Sequence, residues 1–226
     1  MSSKQNKILL NKYYNNDAIL EIGVDEAGRG PMLGRVYCAA VILPKTDDFN
    51  HSIMKDSKRF SSKKKLNNAA SYIKENALAW GISYCSEKEI DNINILNATH
   101  KAMHNAIGQL VNNSNFNNVR LLIDGNNFKS YTKYDDSIGL VQIPHICIEG
   151  GDNKYTSIAA ASILAKSTRD EYIEELCKNN PYLDTQYQIS KNKGYGTQAH
   201  RDGINKYGIT IFHRRTFGIC KNFDIN

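Results

Sequence analysis

The stretch Glu21–Leu43, EIGVDEAGRGPMLGRVYCAAVIL, carries the reading of the fold. Ile19 to Val24 reads as an apolar strand that leads into two adjacent carboxylates, Asp25 and Glu26. A glycine-rich turn follows, and then a second apolar, β-branched strand from Arg35 to Leu43. Charge and bare backbone at the end of one hydrophobic strand suit a ligand that needs both. A dinucleotide-binding turn is the competing reading of Gly28-Arg29-Gly30. That fingerprint opens a helix. Here Pro31 and a strand-like run come next, and no ribose-binding acid follows at the usual distance.

Outward from this stretch, Pro44 and TDDFN mark a loop. Ser61 or Ser62 caps a helix through LNNAASYIKENA. AWGISYC, from Ala79 to Cys85, is a third strand, and Ser86-x-x-Glu89 has the form of a capping box for a short helix. A longer helix runs from about Asn94 to Val111, with Ile95, Ala98, Ala102, Ala106 and Leu110 at helical spacing. VRLLI, from Val119 to Ile123, is a fourth strand that runs into Asp124, and Leu140 to Ile148 is a fifth. A small-residue helix from Ser157 to Leu176 and another near Thr197 to Lys206 complete the pattern. It predicts an α/β fold, a mixed five-stranded sheet flanked by helices.

The chain has 226 residues, enough for one well-buried domain with a small appendage. Its longest apolar runs, such as VYCAAVIL, are too short to span a bilayer, and the N-terminus has no signal-peptide h-region. An intracellular, cytoplasmic protein is expected. Five cysteines, odd in number and with no C-x-x-C pair, read as reduced structural thiols rather than a zinc site. The net charge of +6 permits a polyanionic partner. Basic residues gather at Lys55–Lys65, Lys191–Gly196 and His213–Arg215, beside Phe60, Tyr195 and Phe217. A solvated face explains any one cluster; three with interleaved aromatics favour a nucleic-acid groove.

Acids fall at element ends. Asp25 and Glu26 close the first strand, Asp124 the fourth, and Asp152 precedes the small-residue helix. Each has a bland reading, as a turn opener or a helix cap. Their joint placement is the signal. If the first and fourth strands are parallel neighbours, their ends lie about 5 Å apart. Clustered carboxylates repel, so the cluster implies a cation or a shared proton. Oxygen ligands alone suit Mg2+ or Mn2+.

GVDEAGRGPMLG resembles the opening signature of ribonuclease HII, the type 2 ribonuclease H family. DSKRFSSKKK, INILNATHKAM, LLIDGN, GGDNKYTSIAAASILAKSTRDEYI, NKGYGTQAH and FHRRTF continue the resemblance in the family's order, over roughly Ile22 to Phe217. It implies a ribonuclease H-like catalytic domain over 17–180. A flexible arm over 1–16 is expected to precede it, and a helical C-terminal region over 181–226 to complete the substrate groove. The implied activity is hydrolysis of the RNA strand of RNA–DNA hybrids. Incision on the 5′ side of ribonucleotides embedded in duplex DNA is also implied, leaving 3′-hydroxyl and 5′-phosphate ends. The family's metal-binding, catalytic carboxylates fall on Asp25, Glu26, Asp124 and Asp152, and its glycine-arginine-glycine element on Gly28, Arg29 and Gly30. Its sugar-reading tyrosine falls on Tyr195.

Ser57, Lys58, Thr99 and Lys166 are expected as further substrate contacts. Lys166 has a second reading as a helix residue reaching solvent, and Thr99 as a hydroxyl bonded to its own helix. His200 reads as structural, Asp170 as an ion-pair partner, and Arg214 and Arg215 either as anchors of the C-terminal region or as contacts to the nucleic-acid backbone. Two positions depart from the family pattern. A glycine pair, Gly150-Gly151, stands where lysine-glycine is common, which is expected to loosen the loop bearing Asp152. Arg35 is expected to add charge near the groove. A monomer is expected, and FGICKNFDIN offers no clear clamp-binding peptide. The alternative function is a catalytically weak hybrid- or junction-binding protein, against which the presence of all four acids argues.

Overall fold

The computed structural model of the protein describes residues 9–55, 57–112 and 118–224, with residue 59 described by its backbone only. Residues 1–8 of the expected arm lie outside the described residues. Asn11 is docked: it forms a parallel bridge with Tyr155, and its N–H donates to Lys154 O at 2.8 Å.

A five-stranded sheet forms the centre. Its strands are β1 (Leu20–Ala27), β2 (Val36–Ile42), β3 (Ala79–Cys85), β4 (Val119–Asp124) and β7 (His145–Ile148), in the order β3-β2-β1-β4-β7. The hairpin β1–β2 and the pair β2–β3 are antiparallel; β1–β4 and β4–β7 are parallel. β1 extends further than expected, so Asp25 and Glu26 lie within its last turns of pleat rather than beyond it. The expected fifth strand is split. Gly139–Gln142 (β6) pairs instead with Thr132–Asp135 (β5) in a separate two-stranded hairpin. Pro144 is the break: it lacks an N–H for a ladder, while its carbonyl accepts from Leu121.

Period-2 alternation assigns the two faces. Ile22, Val24, Cys38 and Ala40 pack on the helix α2 (Glu87–Val111). Ala39 and Val41 face α1 (Lys63–Asn76) and the alanine run of α3 (Thr156–Asn179). Each fully buried aliphatic side chain contributes roughly 1.5–3 kcal/mol. Gly23 permits the close approach of α3, because a Cβ there would overlap the backbone of Ser157. The two helices expected on either side of Asn94 are one element with a kink. Asn94 sits at φ 64°, and its side chain accepts from Asn97 N–H at 3.0 Å, so it caps the second half. The Ser86–Glu89 capping box and the Ser62 cap are both present.

The chain closes with α4 (Tyr182–Tyr187), α5 (Ile189–Asn192) and α6 (Gln198–Tyr207). These share a separate apolar cluster with Met32, Leu33 and Ile173. Backbone bonds lace this region to the β1–β2 turn: Met32 N–H to Gly194 O, Gly34 N–H to Phe212 O and Arg214 N–H to Met32 O. The C-terminal region therefore buttresses the glycine-rich turn directly.

Candidate active site

β1 and β4 run parallel with Val24 opposite Ile123, so Asp25 and Asp124 are next in register on adjacent strands. Asp25 lies on the α3 face of β1 with Gly23, and Glu26 lies on the α2 face with Val24. At the strand's end both open into one cleft. Asp25, Glu26, Gly28, Arg29, Gly30, Ser57, Lys58, Asp124, Asp152, Lys166 and Tyr195 all line it. Ser162 and Arg169 of α3 line it too, although the sequence reading had not selected either.

Asp152 stands in a single 3-10 turn, Gly151–Asn153, between β7 and α3. Each glycine of the Gly150-Gly151 pair has a defined place in this turn. Gly150 occupies left-handed backbone (φ 60°, ψ 38°), where glycine costs least. Gly151 then fits against Ile158, and its N–H donates to Asp124 Oδ1 at 2.7 Å. The turn that carries one acid thereby fixes another.

Burial pushes the Asp25 carboxyl well above the ordinary carboxylate range, and the charges of Glu26 and Asp124 push it further. Opposing this, Ser162 and the Glu26 N–H (2.7 Å) donate hydrogen bonds to it. Glu26 is also raised by burial, with Arg29 offsetting part of the shift through a 3.4 Å contact. Among the described residues, no three acidic, histidine or cysteine side chains already converge as a closed ligand set. The donor chemistry nevertheless fits a hard divalent cation: oxygen donors only, a buried carboxyl, and mutual repulsion that a cation relieves.

The basic and hydroxyl residues divide. Lys58 and Lys166 face the cleft, and Lys166 pairs with Asp170 at 2.5 Å, so Asp170 is an ion-pair partner one helical turn on. Ser57 is buried, with its hydroxyl 3.0 Å from Ser162 Oγ. Thr99 departs from the expected substrate contact: it is 2% exposed, does not line the cleft, and donates its hydroxyl to Ile95 O at 2.8 Å. A helix-bonded threonine has its donor already used. Arg35 departs as well. Its guanidinium is stacked between Tyr84 and Tyr172, 4.2 and 4.5 Å from the ring centres, and is not part of the cleft wall. Of the basic clusters, Lys63 and Lys193 share Glu174.

Tyr195 is half exposed and lies across the cleft from the turn, its ring 3.4 Å from where a Cβ on Gly30 would stand. His200 is fully buried below it. Thr210 N–H donates to His213 Nδ1 at 3.0 Å, which leaves His213 Nε2–H to donate to His200 Nε2 at 3.1 Å. His200 Nδ1–H then donates to Tyr195 O at 3.0 Å. The chain of donors requires both rings neutral.

Residues 22–220 match the family model described as ribonuclease HII. A ribonuclease HII of Bacteroides thetaiotaomicron is 44% identical over 96% of this chain and 98% of the relative. Among solved structures, the fold is similar to the ribonuclease H2 of Pyrococcus horikoshii, with a TM-score of 0.65 at 21% identity, over 90% of this chain and 96% of that one. It is similar also to Bst-RNase HIII in complex with Mn2+, with a TM-score of 0.61 at 16% identity, over 84% of this chain and 70% of that one.

Proposed function

The chain belongs to the ribonuclease HII family, and from that premise we propose that its cleft incises the RNA strand of nucleic-acid duplexes with the help of divalent cations. It is an endonuclease of RNA–DNA hybrids. Our finer reading is incision on the 5′ side of a ribonucleotide embedded in duplex DNA, leaving 3′-hydroxyl and 5′-phosphate ends. One observation carries it: Asp25, Glu26, Asp124 and Asp152 line the same cleft as Gly28–Gly30 and Tyr195.

Asp25, Glu26, Asp124 and Asp152 would hold Mg2+ or Mn2+, which supplies an activated water and charge neutralisation at the phosphate. The remaining work belongs to the chain. Lys58, Lys166 and Arg29 bring positive charge to the phosphate backbone. The turn Gly28–Gly30 offers backbone to the 2′-hydroxyl, the group that distinguishes RNA from DNA. Tyr195 faces that turn and would pack on the neighbouring deoxyribose, where a 2′-oxygen would crowd it. An RNA-to-DNA junction satisfies both sides at once.

The decisive experiment is incubation with a labelled duplex carrying one ribonucleotide, with Mg2+ or Mn2+ and with chelator. Metal-dependent incision on the 5′ side is expected. Binding without incision under either metal would leave only a hybrid-binding protein.

A further inference from the structure

Among the described residues, Arg169 and Arg214 are the two largest fully buried side chains, 1% and 0% exposed. Among the described residues neither makes an ion pair with a carboxylate. A buried cation without a counter-ion is costly unless dipoles surround it. Here the dipoles are backbone carbonyls. Arg214 donates to Gly28 O at 2.6 Å, Arg29 O at 2.9 Å and Gly34 O at 2.8 Å. Arg169 donates to Leu33 O at 3.3 Å, Arg35 O at 3.2 Å and Lys193 O at 3.0 Å. Five of these six carbonyls belong to the 28–35 turn, and the sixth to the loop before Tyr195.

This arrangement fixes which way the turn faces. No peptide bond in it is cis. Across a trans peptide the C=O and the following N–H point in opposite directions. With the carbonyls of Gly28 and Arg29 drawn inward to Arg214, the N–H groups of Arg29 and Gly30 point away from it, and both residues line the cleft. Gly28 seals the arrangement from below: it has φ 94°, and a Cβ there would overlap Arg169 Nε.

We propose that Arg214 and Arg169 are the positioning residues for ribonucleotide selectivity: they hold the turn with its carbonyls inward and its Arg29 and Gly30 N–H groups toward the substrate. This rests on the reading of Gly28–Gly30 as the element that meets the 2′-hydroxyl. A planar guanidinium can satisfy three fanned carbonyls at once, whereas a lysine ammonium on a flexible stem cannot hold that geometry.

The test compares kcat/KM on three duplexes that differ at one sugar: ribonucleotide, 2′-fluoro and 2′-deoxy. Wild type strongly prefers the ribonucleotide. Arg214→Lys, which keeps the charge, lowers that preference roughly tenfold or more, because a site built for a hydroxyl loses its discrimination when its donors are misaligned. Affinity for an all-DNA duplex and Mn2+ titration stay at wild-type values. Gly28→Ala, which displaces Arg169 from the other side, produces the same loss and serves with Arg169→Lys if Arg214→Lys does not fold. Equal slowing on all three duplexes with the preference intact would overturn the proposal and leave the arginines as supports of the fold. A wild type indifferent to the 2′ group would overturn the reading of Gly28–Gly30 itself, and the proposal with it.

Discussion

The N–H of Gly151 donates to Asp124 Oδ1 at 2.7 Å, so the turn that presents Asp152 also orients the acid at the end of β4. A Cβ at Gly151 would stand 2.5 Å from Ile158 Cδ1, in the core, and 3.3 Å from Asp124 Oδ1. Gly151→Ala is therefore expected to cost about 1–3 kcal/mol of stability through overpacking. It should also weaken cation binding at the cleft. Thermal melting and a Mn2+ titration check both, and an unchanged Mn2+ affinity would show that the tie to Asp124 is dispensable. Gly150 has open space around its Cβ position. Gly150→Asn, which tolerates left-handed backbone, should be nearly neutral in both measurements.

Asp25 predicts a trade between activity and stability. Burial raises its folded-state pKa well above the ordinary value of 3.8. The folded state thus holds the proton more tightly than the unfolded chain. The sign follows: without metal, this carboxyl destabilises the fold at neutral pH, and that penalty is lost as pH falls through the raised pKa. Asp25→Asn should abolish incision and raise the melting temperature in chelator by several degrees, at about 2–4 °C per kcal/mol for this chain length. A lower melting temperature in the mutant would contradict the desolvation argument.

Much of the site was legible because its acids sit at element ends, where a strand reading alone locates them. Asp25 and Asp124 needed only the parallel β1–β4 pairing, which supplies adjacency. The two residues that escaped notice, Ser162 and Arg169, share a face of α3 with Lys166, which the sequence does single out. Ser162, Lys166 and Arg169 recur at i, i+4 and i+7, a polar stripe that begins within the alanine-rich half of the helix. That period was visible, but the alanine run around it reads as packing. Nothing local marks Arg214 as the residue that turns three carbonyls inward, because those carbonyls lie some 180 residues earlier. For Thr99 the sequence leaves two readings open, and the structure shows the second, a hydroxyl bonded to its own i−4 carbonyl. The hairpin β5–β6 was hidden by an apolar run that Pro144 divides.

Tyr195 is 49% exposed and packs against the open side of Gly30, so its ring contributes little to the core. Tyr195→Ala should leave the melting temperature nearly unchanged. If the ring reads the deoxyribose beyond the ribonucleotide, the variant loses far more kcat/KM on a single embedded ribonucleotide than on a long hybrid. A site built on one stacking contact loses roughly 1–3 kcal/mol with it, or about five- to 150-fold in rate. Equal losses on the two substrates would argue that Tyr195 merely shapes the cleft wall.

The His200–His213 pair makes the C-terminal region sensitive to acid. His213 Nδ1 already accepts from Thr210 N–H, and its other nitrogen donates to His200, whose Nδ1–H holds Tyr195 O. A proton added to either ring sets two donors face to face. Burial, with His200 beside it, pulls the His213 pKa from 6.5 down to about 3. Here the unfolded chain binds the proton more readily than the fold. The stability this supplies is complete above pH 6.5 and is lost progressively between 6.5 and about 3, at about 1.4 kcal/mol per pH unit for one proton. Asp25 contributes with the opposite sign, so the measurement belongs in the Asp25→Asn background. Urea midpoints there should fall between pH 7.5 and 5, and adding His213→Gln should flatten that fall. Because the chain ends on the carbonyl of Tyr195, the same acid range should loosen the loop that carries it, read as faster amide exchange at residues 193–197. A flat stability profile in the presence of both histidines would show that the pair accepts a proton without cost, and the neutral-ring assignment would be wrong.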